Sequence, residues 1–122
     1  MKFLGNGVDI VHVKRFDSEN TEKIARRLLS EGELEYCRGK SDFVLHMAGR
    51  IAAKEAIYKA ISLYTDEYYW KDIAIIPSKR APVLDPECRL AGFLKKNKFS
   101  LSLSISHDGD YAVAHAVVWS KN

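Results

Sequence analysis

The segment from Phe43 to Ser62 constrains the fold most, because it has helical spacing and is apolar on almost every side. Ser41 or Asp42 stands where the helix needs a cap for its first free amides. At about 100° per residue, Val44, Ala48, Ile51 and Ala52 fall within about 60° of Glu55. Phe43, Met47, Ala53, Ala56, Ile57, Ala60 and Ile61 occupy the remaining sectors. A helix without a polar face has to be enclosed, so the rest of the chain is expected to cover it. Glu55 then stands among apolar neighbours, where an unpartnered carboxylate is costly to bury. An i, i+4 pair with Lys59 contributes only about 0.2–0.5 kcal/mol, too little to account for that position.

The covering elements follow from period and punctuation. Gly5 to Val13 opens with glycines and continues β-branched, which predicts a strand interrupted by Asp9. Ser18 to about Tyr36 has helical spacing, with Gly32 as a point of division. Trp70 to Ile76 and Ala81 to Leu84 read as short strands around Pro77 to Arg80, followed by a helix from about Pro86 to Lys96. Phe99, Leu101, Leu103 and Ile105 alternate strictly with Ser100, Ser102, Ser104 and Ser106, giving a strand with one apolar and one hydroxyl face. Asp108 and Gly109 supply a turn into a second apolar run, Tyr111 to Trp119, so an antiparallel hairpin is expected beneath the long helix. The fold class is α+β, an antiparallel sheet packed on a long central helix, and residues 1–122 read as one domain.

With 47% apolar and 29% charged residues, the chain has the composition of an ordinary globular protein. Its net charge of +3 favours anionic partners without distinguishing phosphates from acidic proteins or nucleic acid. A nucleic-acid surface would call for clustered Lys and Arg interleaved with aromatics, a pattern not evident here. Cys37 and Cys88 lie far apart without C-x-x-C spacing, so both are expected as reduced thiols. No window approaches the ~18 apolar residues of a membrane span, and a soluble cytoplasmic protein without a membrane partner is expected. A domain of this length buries about two-thirds of its unfolded surface, so self-association would support it.

Asp9 and Glu55 are the residues that ask for chemistry. Asp9 in this segment reads first as facing water on an edge strand or accepting backbone amides, and it could also join Glu55 at one hard cation. Mg²⁺ accepts such a sparse site, with one or two carboxylates, waters and substrate phosphate oxygens. Lys54 and Lys59 flank Glu55 and are either solvated charges or neutralisers of a diphosphate. His107 ends the alternating strand next to Ser106, where a turn histidine is either structural or a phosphate contact.

Three segments in order resemble the phosphopantetheinyl transferase family, specifically the short bacterial holo-acyl-carrier-protein synthases. They are Gly7 to Phe16 (GVDIVHVKRF), Ala48 to Ala60 (AGRIAAKEAIYKA) and Leu103 to Ala114 (LSISHDGDYAVA). The K-E-A-x-x-K-A block is the most specific, and the resemblance spans essentially the whole chain. It implies the phosphopantetheinyl transferase fold and a homotrimer with active sites between subunits, Asp9 coming from one subunit and the Glu55 helix from another. It implies transfer of the phosphopantetheine arm of coenzyme A to a serine of apo acyl carrier protein, in fatty acid biosynthesis, releasing adenosine 3',5'-bisphosphate. Asp9 and Glu55 would bind Mg²⁺ and act with Lys59 in catalysis, Asp9 and Glu55 both being candidates for the proton acceptor. Arg50, Lys54, Lys59, Ser106 and His107 would contact coenzyme A, and Lys14, Arg15, Lys23, Arg26 and Arg27 the acidic carrier protein.

The sequence also departs from the family pattern. Ile61 to Tyr64 stand where relatives commonly carry G-T-G, Lys79 to Pro82 replace a G-K-P turn, and Ile51 replaces an aromatic residue. These changes bear on the loop near the pantetheine arm. Two other readings are a broader transferase serving carrier domains of peptide or polyketide synthases, and a non-catalytic nucleotide-binding module. The first group is commonly about twice as long, with two fused copies of the fold, and the second leaves Glu55 unexplained.

Overall fold

An all-round apolar helix needs cover on every side, and the chain provides it with a sheet on one side and shorter helices on the other. In the computed structural model, which describes residues 1–121, the elements run β1 (Lys2–His12), α1 (Thr21–Leu28), α2 (Glu31–Arg38), α3 (Phe43–Ile61), β2 (Ile75–Ile76), β3 (Val83–Leu84), α4 (Arg89–Asn97), β4 (Phe99–Asp108) and β5 (Tyr111–Ser120). Asp42 caps α3, its Oδ1 accepting from the Leu45 amide at 3.0 Å. Met47, Ile51, Ile57 and Ile61 of α3 are buried in the core. Among the described residues no helix is long and apolar enough to cross a membrane.

The expected hairpin is present and acquires a third strand, giving an antiparallel sheet in the order β1-β5-β4. Its register pairs Leu103 with Ala116 and Asp108 with Tyr111, and Gly109 takes the turn at φ 56°, where a side chain would be strained. The period-two pattern places Leu103 against the core and Ser102 and Ser104 outward. On β5 the inward residues Ala112, Ala114 and Ala116 are all buried, small enough for α3 to lie close on the sheet.

β1 approaches α3 closely enough that side chains are excluded. A Cβ on Gly7 would sit 2.0 Å from the Ala56 carbonyl oxygen, and one on Gly5 2.5 Å from that of Ala60. Both obstacles are backbone, which cannot swing aside. The same alternation that turns Gly5, Gly7 and Val11 inward turns Asp9 inward with them, while Val8 and Ile10 face out, 55% and 64% exposed.

Three expectations change. The helical stretch from Ser18 divides at Ser30, not Gly32, because Ser30 and Glu33 form a reciprocal capping box: the Glu33 amide donates to Ser30 Oγ (3.2 Å) and the Ser30 amide to Glu33 Oε1 (2.7 Å). The segment from Trp70 becomes a 3₁₀ turn, Trp70–Asp72, before a strand of only two residues, since Trp70 adopts a left-handed backbone (φ 50°) that no strand accommodates. The helix expected from Pro86 begins at Arg89 and ends at Asn97, before a left-handed Lys98 (φ 59°).

Gly7→Ala should therefore lose about 1–3 kcal/mol of stability in denaturant unfolding. Gly32→Ala, on a helix with nothing within 4 Å of the new Cβ, should gain about 0.5–1 kcal/mol. An unchanged Gly7→Ala midpoint would contradict the close packing.

Candidate active site

Asp9 on β1 and Glu55 on α3 line one cavity of about 260 Å³, together with Ile10, Arg15, Phe16, Leu28, Ile51 and Trp70. β1 carries Asp9 there because its glycines let the strand run against the helix, and the helical position of Glu55 points it at the same space. The expectation that the two acids come from different subunits is corrected by this geometry: one chain supplies both. Lys59, one turn beyond Glu55, does not form the i, i+4 pair. Its Nζ reaches Asp9 Oδ1 at 3.2 Å and the Val8 carbonyl at 3.1 Å instead. Glu55 is thus left facing the cavity while Asp9 has a cation at its side.

Glu55 and Trp70 also border a second cavity of about 180 Å³, completed by Lys54, Tyr58, Tyr69 and Ile73. Tyr58 and Tyr69 stand with ring centres 6.1 Å apart. The two cavities flank Glu55, giving one carboxylate access to a charged side and an aromatic side.

Lys54 does not contact ligand space through its charge, which corrects its expected place in the coenzyme A site. Its Nζ is spent inside the protein, on Glu33 Oε1 (2.7 Å) and the carbonyls of Trp70 (2.8 Å) and Ile73 (2.6 Å), with 1% of the side chain exposed. Burial pulls the Lys54 ammonium below its ordinary value, and the Glu33 carboxylate opposes that pull. Glu33, which the sequence reading passed over, also accepts from the Ile75 amide at 2.7 Å. Its only signal in sequence was the S-x-x-E spacing of a capping box.

A second group gathers around the N-terminal half of α3. Arg50 is buried, its guanidinium 4.2 Å over the Tyr36 ring, and its Nε has no hydrogen-bond partner. Tyr36 and Arg50 line a cavity of about 140 Å³ with Ser78, Arg80 and Pro82 of the β2–β3 connection. His107 reaches the same helix because Gly49 has no side chain; a Cβ there would stand 2.9 Å from His107 Nε2. Desolvation first, then the neighbouring His46 and Arg50, lower the His107 pKa, partly offset by the Leu45 backbone and Asp42. Ser106, expected to act beside His107, lies on the opposite, outward face of β4 by strand alternation, so one chain does not bring the two together.

The basic residues expected to meet a carrier protein differ in their commitments. Arg15 lines the Asp9 cavity. Lys14 pairs with Asp110 at 3.6 Å, and Arg26 shares Glu22 with Arg38. That Arg38 hydrogen bond, ahead of the Arg26 contribution, holds the Glu22 carboxyl below its ordinary value. Lys23 and Arg27 are exposed on α1. The cysteines are both free, and burial pushes the Cys37 thiol up to about 11, so it stays protonated.

The model of the 4'-phosphopantetheinyl transferase superfamily matches residues 5–116. The chain belongs to this superfamily. It is 40% identical to the holo-[acyl-carrier-protein] synthase of Geobacter sulfurreducens over 93% of this chain and 95% of the relative. Its structure is similar to the ACPS-CoA complex of Chronobacterium ammoniagenes (TM-score 0.78, 31% identity, 97% and 98% of the two chains). It is also similar to the Bacillus anthracis holo-(acyl-carrier-protein) synthase in complex with CoA (3',5'-ADP), with TM-score 0.80, 30% identity and 99% and 100% coverage. The α+β fold expected from the sequence is the fold of these transferases.

Among the described residues no group of three or more His, Cys, Asp or Glu is placed to hold a metal ion. A cation between Asp9 and Glu55 would therefore take its remaining oxygens from outside the chain. That donor set fits Mg²⁺, which keeps waters and substrate phosphates in its shell, and does not fit zinc.

Lys54→Met and Glu33→Gln should each cost about 3–5 kcal/mol of stability, since each strands a buried charge or its unpaired partner atoms. The double change Lys54→Met, Glu33→Gln should cost less than the sum. Additive costs in a double-mutant cycle by urea denaturation would contradict a shared buried pair.

Proposed function

We propose that this chain is a holo-acyl-carrier-protein synthase, which moves the phosphopantetheine arm of coenzyme A to a serine of apo acyl carrier protein. One observation carries the reading: strand β1 and helix α3 deliver Asp9 and Glu55 to a single cavity, with Lys59 on Asp9 and Arg15 at its wall. The similar proteins are holo-acyl-carrier-protein synthases, two of them in complex with coenzyme A or its nucleotide part, and this supports the substrate.

In this reading Asp9 and Glu55 hold Mg²⁺, which when bound supplies positive charge to the diphosphate of coenzyme A. Lys59 adds a second positive charge at the same place, and Arg50 and His107 receive the nucleotide end. The serine oxygen forms a bond to the β-phosphorus while the bond from that phosphorus to the bridging oxygen breaks. Adenosine 3',5'-bisphosphate leaves with that oxygen and its electron pair, and the hydroxyl proton passes to one of the two carboxylates. Positioning and charge neutralisation account for most of such a reaction.

Self-association as a homotrimer belongs to the same proposal. The outer face of the sheet exposes Phe3, Val8 and Ile10 and borders a hollow of about 630 Å³ lined by Met1, Phe3, Ser102, Val117 and Trp119. An apolar face of that kind favours cover. Ile10 is part of this face and also of the Asp9 cavity wall, so a second copy seated there would border the site.

The test is incubation with coenzyme A, Mg²⁺ and apo carrier protein, read by mass spectrometry of the carrier. Asp9→Ala and Glu55→Ala should each slow arm transfer by on the order of a hundredfold or more with the fold intact by circular dichroism. Undiminished transfer by either variant sinks the site assignment. Reversing Lys23 and Arg27 to Glu together should raise KM for the carrier protein several-fold and remove most of its salt dependence, leaving coenzyme A binding unaltered.

A further inference from the structure

The cavity of about 180 Å³ on the far side of Glu55 has no part in the reaction as described above, although it shares Glu55 and Trp70 with the Asp9 cavity. Its other walls are Lys54, Tyr58, Tyr69 and Ile73. Ile73 is fully buried, and Lys54 offers only its carbon stem, because its ammonium is taken up by Glu33 and two carbonyls. Apart from Glu55, at the edge held in common with the Asp9 cavity, the walls are rings and hydrocarbon.

Those walls are anchored through the backbone. The Tyr69 amide donates to Asp72 Oδ2 at 3.3 Å and the Tyr69 carbonyl accepts from the Asp72 amide at 3.0 Å, while Arg89 holds Asp72 Oδ1 at 3.0 Å. The Trp70 carbonyl accepts from Lys54 at 2.8 Å. Tyr58 faces them from α3, three residues past Glu55, which is a rise of about 4.5 Å and a turn of about 60° around the axis. Its ring centre is 6.1 Å from that of Tyr69. Tyr58 is half-buried and Tyr69 is exposed.

We infer that this cavity seats the branched, dimethyl-bearing segment of the coenzyme A arm, and that Tyr58 and Tyr69 are the residues that recognise it. The inference rests on the proposed coenzyme A reading and adds to it the part of the site that reads the arm. A diphosphate placed among rings without a cation would be costly to bury, so the charge stays on the Asp9 and Lys59 side of Glu55. In coenzyme A the β-phosphate is followed, after an oxygen and a methylene, by the carbon that carries the paired methyl groups. An apolar bulge only a few bonds from the diphosphate thus meets an apolar space on the other side of the same carboxylate. The size agrees, since pockets that enclose a whole small ligand occupy ~300–1,000 Å³ and this one suits a single segment. Arg50, Glu55 and Tyr58 then follow one another along α3 in the order nucleotide end, diphosphate and arm.

The experiment measures, by calorimetry on the full chain with Mg²⁺, the binding of coenzyme A and of adenosine 3',5'-bisphosphate, which has the nucleotide end and no arm. Tyr58→Ala and Tyr69→Ala should each bind coenzyme A about tenfold more weakly than the unaltered protein, with bisphosphate affinity unchanged. Tyr58→Phe, which keeps the ring, should bind both as the unaltered protein does. A coenzyme A analogue with hydrogens in place of the paired methyl groups should lose about tenfold against the unaltered protein and little against the alanine variants. That analogue keeps the test in force if Tyr58→Ala fails to fold. Equal weakening of coenzyme A and bisphosphate, or no weakening of either, overturns the inference. So does an effect confined to KM for the carrier protein, which would give the cavity to a carrier side chain. Absence of coenzyme A binding by the unaltered protein would instead defeat the reading on which the inference rests.

Discussion

Glu33 and Lys54 meet at 2.7 Å with 0% and 1% of their side chains exposed, and the walls of the cleft hang on that contact. Removing two ions from water costs several kcal/mol each, which is tolerated only where every proton and lone pair is met. Here they are. Glu33 accepts from the amides of Ser30 and Ile75, and Lys54 donates to the carbonyls of Trp70 and Ile73. The pair thereby ties the start of α2, the middle of α3, the Trp70 turn and β2. Lys54 thereby holds the carbonyl of Trp70, a residue with a left-handed backbone, and Trp70 borders both cavities beside Glu55. Consecutive residues of one helix, about 100° apart, serve opposite ends: Lys54 turns inward to hold the wall, and Glu55 turns to the space that the wall encloses.

The second constraint is distance. Gly5 and Gly7 leave no side chain between β1 and the carbonyls of Ala60 and Ala56, and the alanines of β5 keep the neighbouring strand equally near. Close seating of the sheet on α3 is what brings a strand carboxylate and a helix carboxylate to one cavity, from positions 46 residues apart in the chain. Along the same helix, Arg50 precedes Glu55 by five residues, a rise of about 7.5 Å. A cationic end and a carboxylate end on one helix suit an elongated ligand with a phosphate at one extremity and a diphosphate farther along.

Much of the fold was legible because it rests on local pattern. The alternating Phe99 to Ser106 run, the Asp108-Gly109 turn and the all-round apolar helix each express a single period, and each element formed where that period placed it. Boundaries were less legible where side chains competed for backbone groups: Ser30 and Glu33 moved a helix break away from Gly32, and Trp70 turned an expected strand into a 3₁₀ turn. Asp9 and Glu55 stood out in sequence as carboxylates in apolar runs, whereas the role of Lys59 beside them came from the family resemblance. Lys54 was misassigned because its sequence neighbourhood is the same whether its ammonium faces a ligand or a buried glutamate.

The amino-acid sequence by itself determined that a central helix must be covered, that a hairpin with one apolar face would cover it, and that two carboxylates stood in apolar surroundings needing a reason. Periodicity and burial cost act along a few consecutive residues, so the order of the chain suffices to read them. Which partner each charge took was decided only in three dimensions: Lys59 on Asp9, Lys54 on Glu33, and His46 beside His107 and far from it in sequence. Electrostatic and hydrogen-bond energies fall off over a few ångströms, and only the seating of the sheet on the helix sets those separations.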